Sequence, residues 1–173
     1  AIGGPGNDWI DVYGFNGIVA FNPGDGADTI GVNESFTLSI GGGVAAADLS
    51  LSEDGADIMI SIGGQDSVRL TRDEGGGPGT WPAIILQLFG SAHLYYLGGA
   101  INEFYNARAA DPSLTEFGLG EVLPRYLLLS SETGALGGVI AHQYATRGTI
   151  AHVSDVQLLS VLQDPRFGPF FQD

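Results

Sequence analysis

The middle of the chain alternates. Leu49 and Leu51, then Ile58, Ile60 and Ile62, then Val68 and Leu70 stand at every second position with polar residues between them. That is the period of a strand with one buried face. Glu53-Asp54-Gly55 separates the first two runs and Gly63-Gly64-Gln65 the next two, both turn signals of hairpin length. Phe36, Leu38 and Ile40 predict a further strand before Gly41-Gly42-Gly43. The run Ile84-Ile85-Leu86-Gln87-Leu88-Phe89 is apolar on both faces. It reads either as a buried last strand or as an exposed edge open to another molecule. Arg72–Gly79 reads as a loop.

Beyond this run the spacing turns helical. Ile101, Phe104, Tyr105 and Arg108 share a helix face that Asp111-Pro112 ends. A second helix is predicted from Pro124 through Tyr126 and Leu127-Leu128-Leu129. A third carries Leu136, Val139, Ile140, Gln143 and Tyr144 and stops at Arg147-Gly148. Ser154-Asp155-Val156-Gln157 has the pattern of a capping box and opens a fourth, with Leu158, Leu159 and Leu162, closed by Asp164-Pro165.

Charge sharpens this division. The 173 residues carry 20 acids and six bases, a net charge of −14, with no lysine and no cysteine. Twelve acids and two bases, Arg69 and Arg72, precede residue 91, and eight acids and four bases follow it. Glycine divides the same way, 19 before and nine after. Two regions are therefore expected: a Gly/Asp-rich β region over 1–90 and a helical region over 91–173. The anionic surface excludes a phosphate-backbone partner or an anionic membrane. The absent cysteine excludes disulfides, thiolate metal sites and a Cys nucleophile. No run of 18 apolar residues exists, so no membrane insertion is expected. No cleavable leader precedes the patterned residues at Ala1, and the chain reads as a mature region or a piece of something longer. Among twelve acids opposed by two bases, self-repulsion favours a bound divalent cation, and hard carboxylate and carbonyl oxygens suit calcium.

Gly3-Gly4-Pro5-Gly6-Asn7-Asp8-Trp9-Ile10-Asp11 follows the nonapeptide pattern G-G-x-G-x-D-x-U-x, with Ile10 as the apolar residue U. Gly24-Asp25-Gly26-Ala27-Asp28-Thr29-Ile30 repeats it in part: Gly24, Gly26, Asp28 and Ile30 fall where Gly4, Gly6, Asp8 and Ile10 fall in the first copy. Glycines let the backbone turn sharply and aim carbonyl oxygens at one point, and the aspartates add charged oxygens. The candidate calcium residues are Gly4, Gly6, Asp8, Asp11, Gly24, Gly26 and Asp28. Asp54, Asp57 and Asp66 read as solvated turn residues.

These residues resemble the end of an RTX, or haemolysin-type, calcium-binding repeat array. Phe21–Ile30 resembles the segment closing such arrays. Gly42-Gly43-Val44, Asp48–Leu51, Asp57–Ile62 and Asp66–Leu70 are similar to the region that follows them in secreted bacterial proteins. Ile101–Phe104, Ala109–Leu114 and Ala135–Gly138 are similar to tails of large proteins of that kind. The resemblance implies an α+β fold: a short calcium-binding parallel β-solenoid (β-roll) continuing into a β-meander, followed by a small helical region. It implies Ca2+ as cofactor and an extracellular or cell-surface location. It implies a structural or adhesive module that associates with copies of itself into a filament, matrix or surface layer. The alternative is a non-catalytic secretion or folding appendage of an exported enzyme.

No catalytic motif accompanies these features. There is no G-x-S-x-G, H-E-x-x-H or phosphate loop. His93, His142 and His152 read as structural or surface residues, and nothing in the spacing brings Glu103 to Glu116. The chain reads as no enzyme.

Overall fold

The structure is a computed structural model and describes residues 1–13, 17–72, 77–89, 93–130 and 138–150; the side chains of 129–130 and 138–142 are not described. Within these residues eleven strands form two mixed sheets. They are β1 (Trp9–Val12), β2 (Gly17–Phe21), β3 (Ala27–Val32), β4 (Phe36–Ile40), β5 (Leu49–Asp54), β6 (Asp57–Ile62), β7 (Asp66–Thr71), β8 (Ile84–Leu88), β9 (His93–Tyr96), β10 (Phe117–Gly118) and β11 (Leu127–Ser130). Two helices join them, α1 (Leu97–Ala110) and α2 (Gly138–Arg147). The first sheet runs β1-β3-β7-β6-β5-β10 and the second β11-β9-β8-β4-β2.

The alternating runs become strands for the expected reason. Leu49 and Leu51, Ile58, Ile60 and Ile62, and Val68 and Leu70 turn inward from the first sheet and are fully buried. They meet Val19, Phe21, Phe36, Leu38, Ile40, Ile84, Leu86 and Leu88 of the second sheet in one core. Gly55, at φ 67°, closes the β5–β6 hairpin, and Gly63 and Gly64, at φ 61° and 80°, close β6–β7. These are left-handed backbones that L side chains rarely adopt. The run from Ile84 is an interior strand: β8 pairs in parallel with β4 and antiparallel with β9. Its second apolar face is buried by neighbours, and it offers no edge.

The expected class, α+β with a parallel β-solenoid leading to a helical region, is not what forms. The chain is mostly β. Parallel pairing joins β1 to β3 to β7 and β2 to β4 to β8. It then gives way to antiparallel pairs: β5–β6, β6–β7, β8–β9, β9–β11 and β5–β10. Each hairpin sends the chain back along its own sheet, so no solenoid or β-roll is built among the described residues. Residues after 91 also supply strands. The apolar run from Leu127, expected to be helical, pairs with β9 after a short 3-10 turn at Leu123–Tyr126, where Pro124 ends up. Three consecutive leucines carry no period, and here the free edge of β9 decides.

Two of the expected helices are present. α1 extends the predicted face, burying Leu97, Ala100, Ile101, Phe104 and Tyr105, and Asp111 caps its end. It packs on β8 and on the turn at Leu123–Tyr126. Arg108 pairs with Glu53 at 3.1 Å, tying α1 to β5. α2 lies against β2 and β4, with Tyr144 packed on Ala20 and Ile2. Ser154–Asp164 lies outside the described residues. Among the described residues no helix is long and apolar enough to cross a membrane.

Candidate cation site at the start of β1 and β3

The two glycine-rich copies lie side by side. β1 and β3 pair in parallel with Trp9 opposite Thr29 and Ile10 opposite Ile30, so that each residue of the first copy meets its counterpart in the second. Gly6 bridges Gly26 in the same register. Equivalent glycines have equivalent backbones: φ is 90° at Gly4 and 96° at Gly24, 141° at Gly6 and 102° at Gly26. All four are left-handed, which lets each loop swing from one sheet to the start of a strand in the other.

The register brings Asp8 and Asp28 together. Both immediately precede the paired residues Trp9 and Thr29 and share the inward parity of Ile10 and Ile30. The amide of Asp8 donates to Asp28 Oδ1 at 3.0 Å, and the amide of Thr29 donates to the Asp8 carbonyl at 2.8 Å. Their other carboxylate oxygens converge over Gly3. A Cβ at that glycine would lie 2.8 Å from Asp8 Oδ2 and 3.1 Å from Asp28 Oδ2. Asp28 is 3% exposed. Asp8 Oδ2 is buried and has no hydrogen-bond partner among the described residues. An unpartnered buried carboxylate oxygen is costly, and a cation is the partner that would remove the cost.

The surrounding acids are committed elsewhere. Asp25 accepts from the Asn22 amide at 2.8 Å and from the Tyr144 hydroxyl at 2.6 Å. Asp66 accepts from the amides of Gly24 at 2.9 Å and Gly26 at 3.1 Å. Asn7 Oδ1 accepts from the Ala27 amide at 3.1 Å. Asp11 points to the outer face of β1, where the Trp9 indole donates to it at 2.9 Å. Thus of the seven candidate residues, Asp8 and Asp28 converge, the four glycines shape their loops, and Asp11 stands apart. Sequence reasoning places Asp25 in the second copy without a ligand role, and it does not reach Asp66 as a member of this neighbourhood. Asp66 directly precedes Ser67, the partner of Ala27 across β3 and β7, but carries no glycine motif that marks it.

Burial is the main cause that raises the Asp28 pKa, and the charges of Asp8, Asp25 and Asp66 push it further; the hydrogen bond from the Asp8 amide opposes them. The residues therefore fit a hard cation in part. They supply two convergent carboxylates, one of them carrying an orphaned oxygen, and main-chain oxygens of the two loops would have to complete the about 6–8 ligands calcium takes. No group of three or more acidic or histidine side chains among the described residues is disposed to hold a metal together.

The other candidate chemistry is dispersed. Glu103 pairs with Arg125 and accepts from Tyr126, whereas Glu116 accepts from Ser50. His93 shares a hydrogen bond with the Tyr95 hydroxyl. Asp54 and Asp57, expected as solvated turn residues, both pair with Arg69. The His142 side chain and His152 lie outside the described residues. Comparison of the chain with protein-family models, with curated proteins and with solved structures finds no match.

Proposed function

We propose that this chain is a calcium-stabilised structural or adhesive module of a secreted bacterial RTX-like protein, with no catalytic role of its own. The observation that carries the reading is the Asp8–Asp28 pair: two carboxylates converge over Gly3, and Asp8 Oδ2 has no partner among the described residues. The acid excess over 1–90, with no base before Arg69, supports it. A site built from two carboxylates and main-chain oxygens suits weak, modular calcium binding of about 10⁻⁴–10⁻³ M, which fills only where calcium is millimolar, outside the cell. The outer edge of β1 pairs with no strand among the described residues, which supports association with a second copy by strand addition.

The test is calcium titration calorimetry on the chelator-treated chain, paired with hydrogen exchange at Asp8–Ile10 and Asp28–Ile30. Heat of binding and added protection at both strand starts are expected. Absence of both in millimolar calcium would sink the reading.

A further inference from the structure

The outer face of the first sheet carries a second feature, which adjoins the cation site. The register β1-β3-β7-β6 sets Trp9, Thr29, Arg69 and Met59 in one outward row across four strands. Trp9 is 65% exposed, an unusual position for the largest side chain in the alphabet. Its ring is nevertheless held. The indole N–H donates to Asp11 Oδ1, and the Asp11 carboxylate lies against Gly31, where any Cβ would collide with it. The absence of a side chain at Gly31 thus seats Asp11, and Asp11 orients Trp9. Beside the indole opens a shallow cavity of about 330 Å³, whose lining includes Asn7, Trp9, Thr29, Ser67 and Arg69 together with Asp8 and Asp28. That volume lies at the low end of the range for small-molecule sites, about 300–1,000 Å³.

We infer that this cleft binds a neutral saccharide, with the Trp9 ring as its stacking platform. A pyranose presents an apolar C–H face and a rim of hydroxyls. The cleft presents the matching pair: a fixed aromatic face, and short hydroxyls at Thr29 and Ser67 with the side-chain NH2 of Asn7, whose Oδ1 is held by the Ala27 amide. A held aromatic ring loses little freedom when a ligand stacks on it. Charge narrows the class. Arg69 looks like an anion receptor, but its two guanidinium arms are engaged by Asp57 and Asp54. The lining Asp8 and Asp28 and the net charge of −14 repel sulfated or uronic polymers and phosphates. An apolar ligand would leave the threonine, serine and asparagine groups unmatched.

The experiment uses the whole chain and three neutral probes, cellohexaose, hexa-N-acetylchitohexaose and maltohexaose, with a heparin hexasaccharide as the anionic comparator. Binding is read by calorimetry and by tryptophan fluorescence in a Trp81→Phe background, so that Trp9 alone reports. At least one neutral hexaose should bind saturably below about 10 mM, with Trp9 shielded from quencher. Trp9→Ala should weaken that binding by at least about tenfold at unchanged melting temperature, and Thr29→Val by less. No response to any neutral probe overturns the proposal. So does equal affinity in Trp9→Ala, a preference for heparin, or quencher shielding that rises with protein concentration alone, which would make the face a contact between copies. Runs with calcium and with chelator keep the readings apart: loss of calcium heat bears on the cation site, loss of the saccharide response on this cleft.

Discussion

The Tyr144 hydroxyl donates to Asp25 Oδ1 at 2.6 Å, joining residues 119 apart in the chain. Both residues are 3% exposed. Asn22 completes the contact: its amide donates to the other oxygen of Asp25, and its side-chain NH2 donates to the Tyr144 carbonyl at 2.7 Å. The turn between β2 and β3 is therefore bonded to α2 on one side and leads to Asp28 on the other.

Tyr144→Phe removes the hydroxyl and leaves a buried carboxylate oxygen without its donor. Hydrogen bonds to charged groups contribute about 1.5–3 kcal/mol, and a loss of that order is expected in chemical unfolding. Hydrogen exchange should show α2 opening before the sheets. If α2 and the strands lose protection together, at unchanged stability, the bond is not what docks the helix.

The same contact has an alkaline signature. Burial raises the Tyr144 pKa above the ordinary phenol value, and the hydrogen bond to Asp25 and its charge raise it further. Stability from the neutral phenol is complete below the unfolded value of about 10 and is lost as pH rises from there towards the folded value. Burial also raises Tyr95, Tyr105 and Tyr126, so ultraviolet titration should show several tyrosines ionising above the ordinary range, the last of them together with release of α2. Tyr144→Phe should abolish that late step.

Asp28 sets a dependence of the same sign in the acid range. Its folded pKa is raised, so the folded state holds its proton more tightly than the unfolded chain. For this group, metal-free stability is greatest below the unfolded carboxylate value and declines as pH rises through that value to the folded one. Calcium should cancel the penalty and displace protons as it binds. Calorimetry in buffers of different ionisation enthalpy at mildly acid pH should reveal that release, and Asp28→Asn should remove it.

Gly3→Ala places a methyl carbon where Asp8 Oδ2 and Asp28 Oδ2 approach. The carboxylates can swing aside, so the fold should survive, but the convergence should not. A fall in calcium affinity of at least about tenfold is expected. Gly118→Ala, with open space around the added carbon, should leave affinity unchanged. Equal behaviour of the two variants would place the cation elsewhere.

Asp66 tests the third strand of the parallel set. Its carboxylate accepts from two amides of the loop that precedes Asp28. Asp66→Ala should cost about 0.5–1.5 kcal/mol, because water can reach the Gly24 amide that loses its acceptor, and Asp66→Asn less, since one acceptor remains. Thermal unfolding of both variants in chelator is the measurement.

The strands around Leu49, Ile58 and Val68 were legible because alternation reports burial directly. So was the convergence of Asp8 with Asp28, because two equivalent copies fall into register when their strands pair. The fate of Leu127-Leu128-Leu129 was not legible: an apolar triplet suits a helix or a strand, and the deciding partner, β9, is separated from it by the whole of α1 and the turns beyond. The overall class failed for a related reason. A resemblance whose chemical motif lies between Gly3 and Ile30 does not reach the later hairpins, whose turns reverse the chain. Asp66 was invisible as a site neighbour because the Gly24 and Gly26 amides are brought to it only by tertiary structure, and so was the tie of Asp25 to Tyr144.

The parallel registers set an order of completion during synthesis. β3 has β1 beside it as soon as it is made, but its second neighbour, β7, begins only at Asp66, and β4 must wait for β8 at Ile84. Until then both sheets stand half-built with apolar edges bare, a condition that slows folding and invites aggregation. The hairpin pair β5–β6–β7 is local and can close first, as a unit that β3 then joins. Emerging chains truncated before Leu88 should therefore be the ones that require a chaperone.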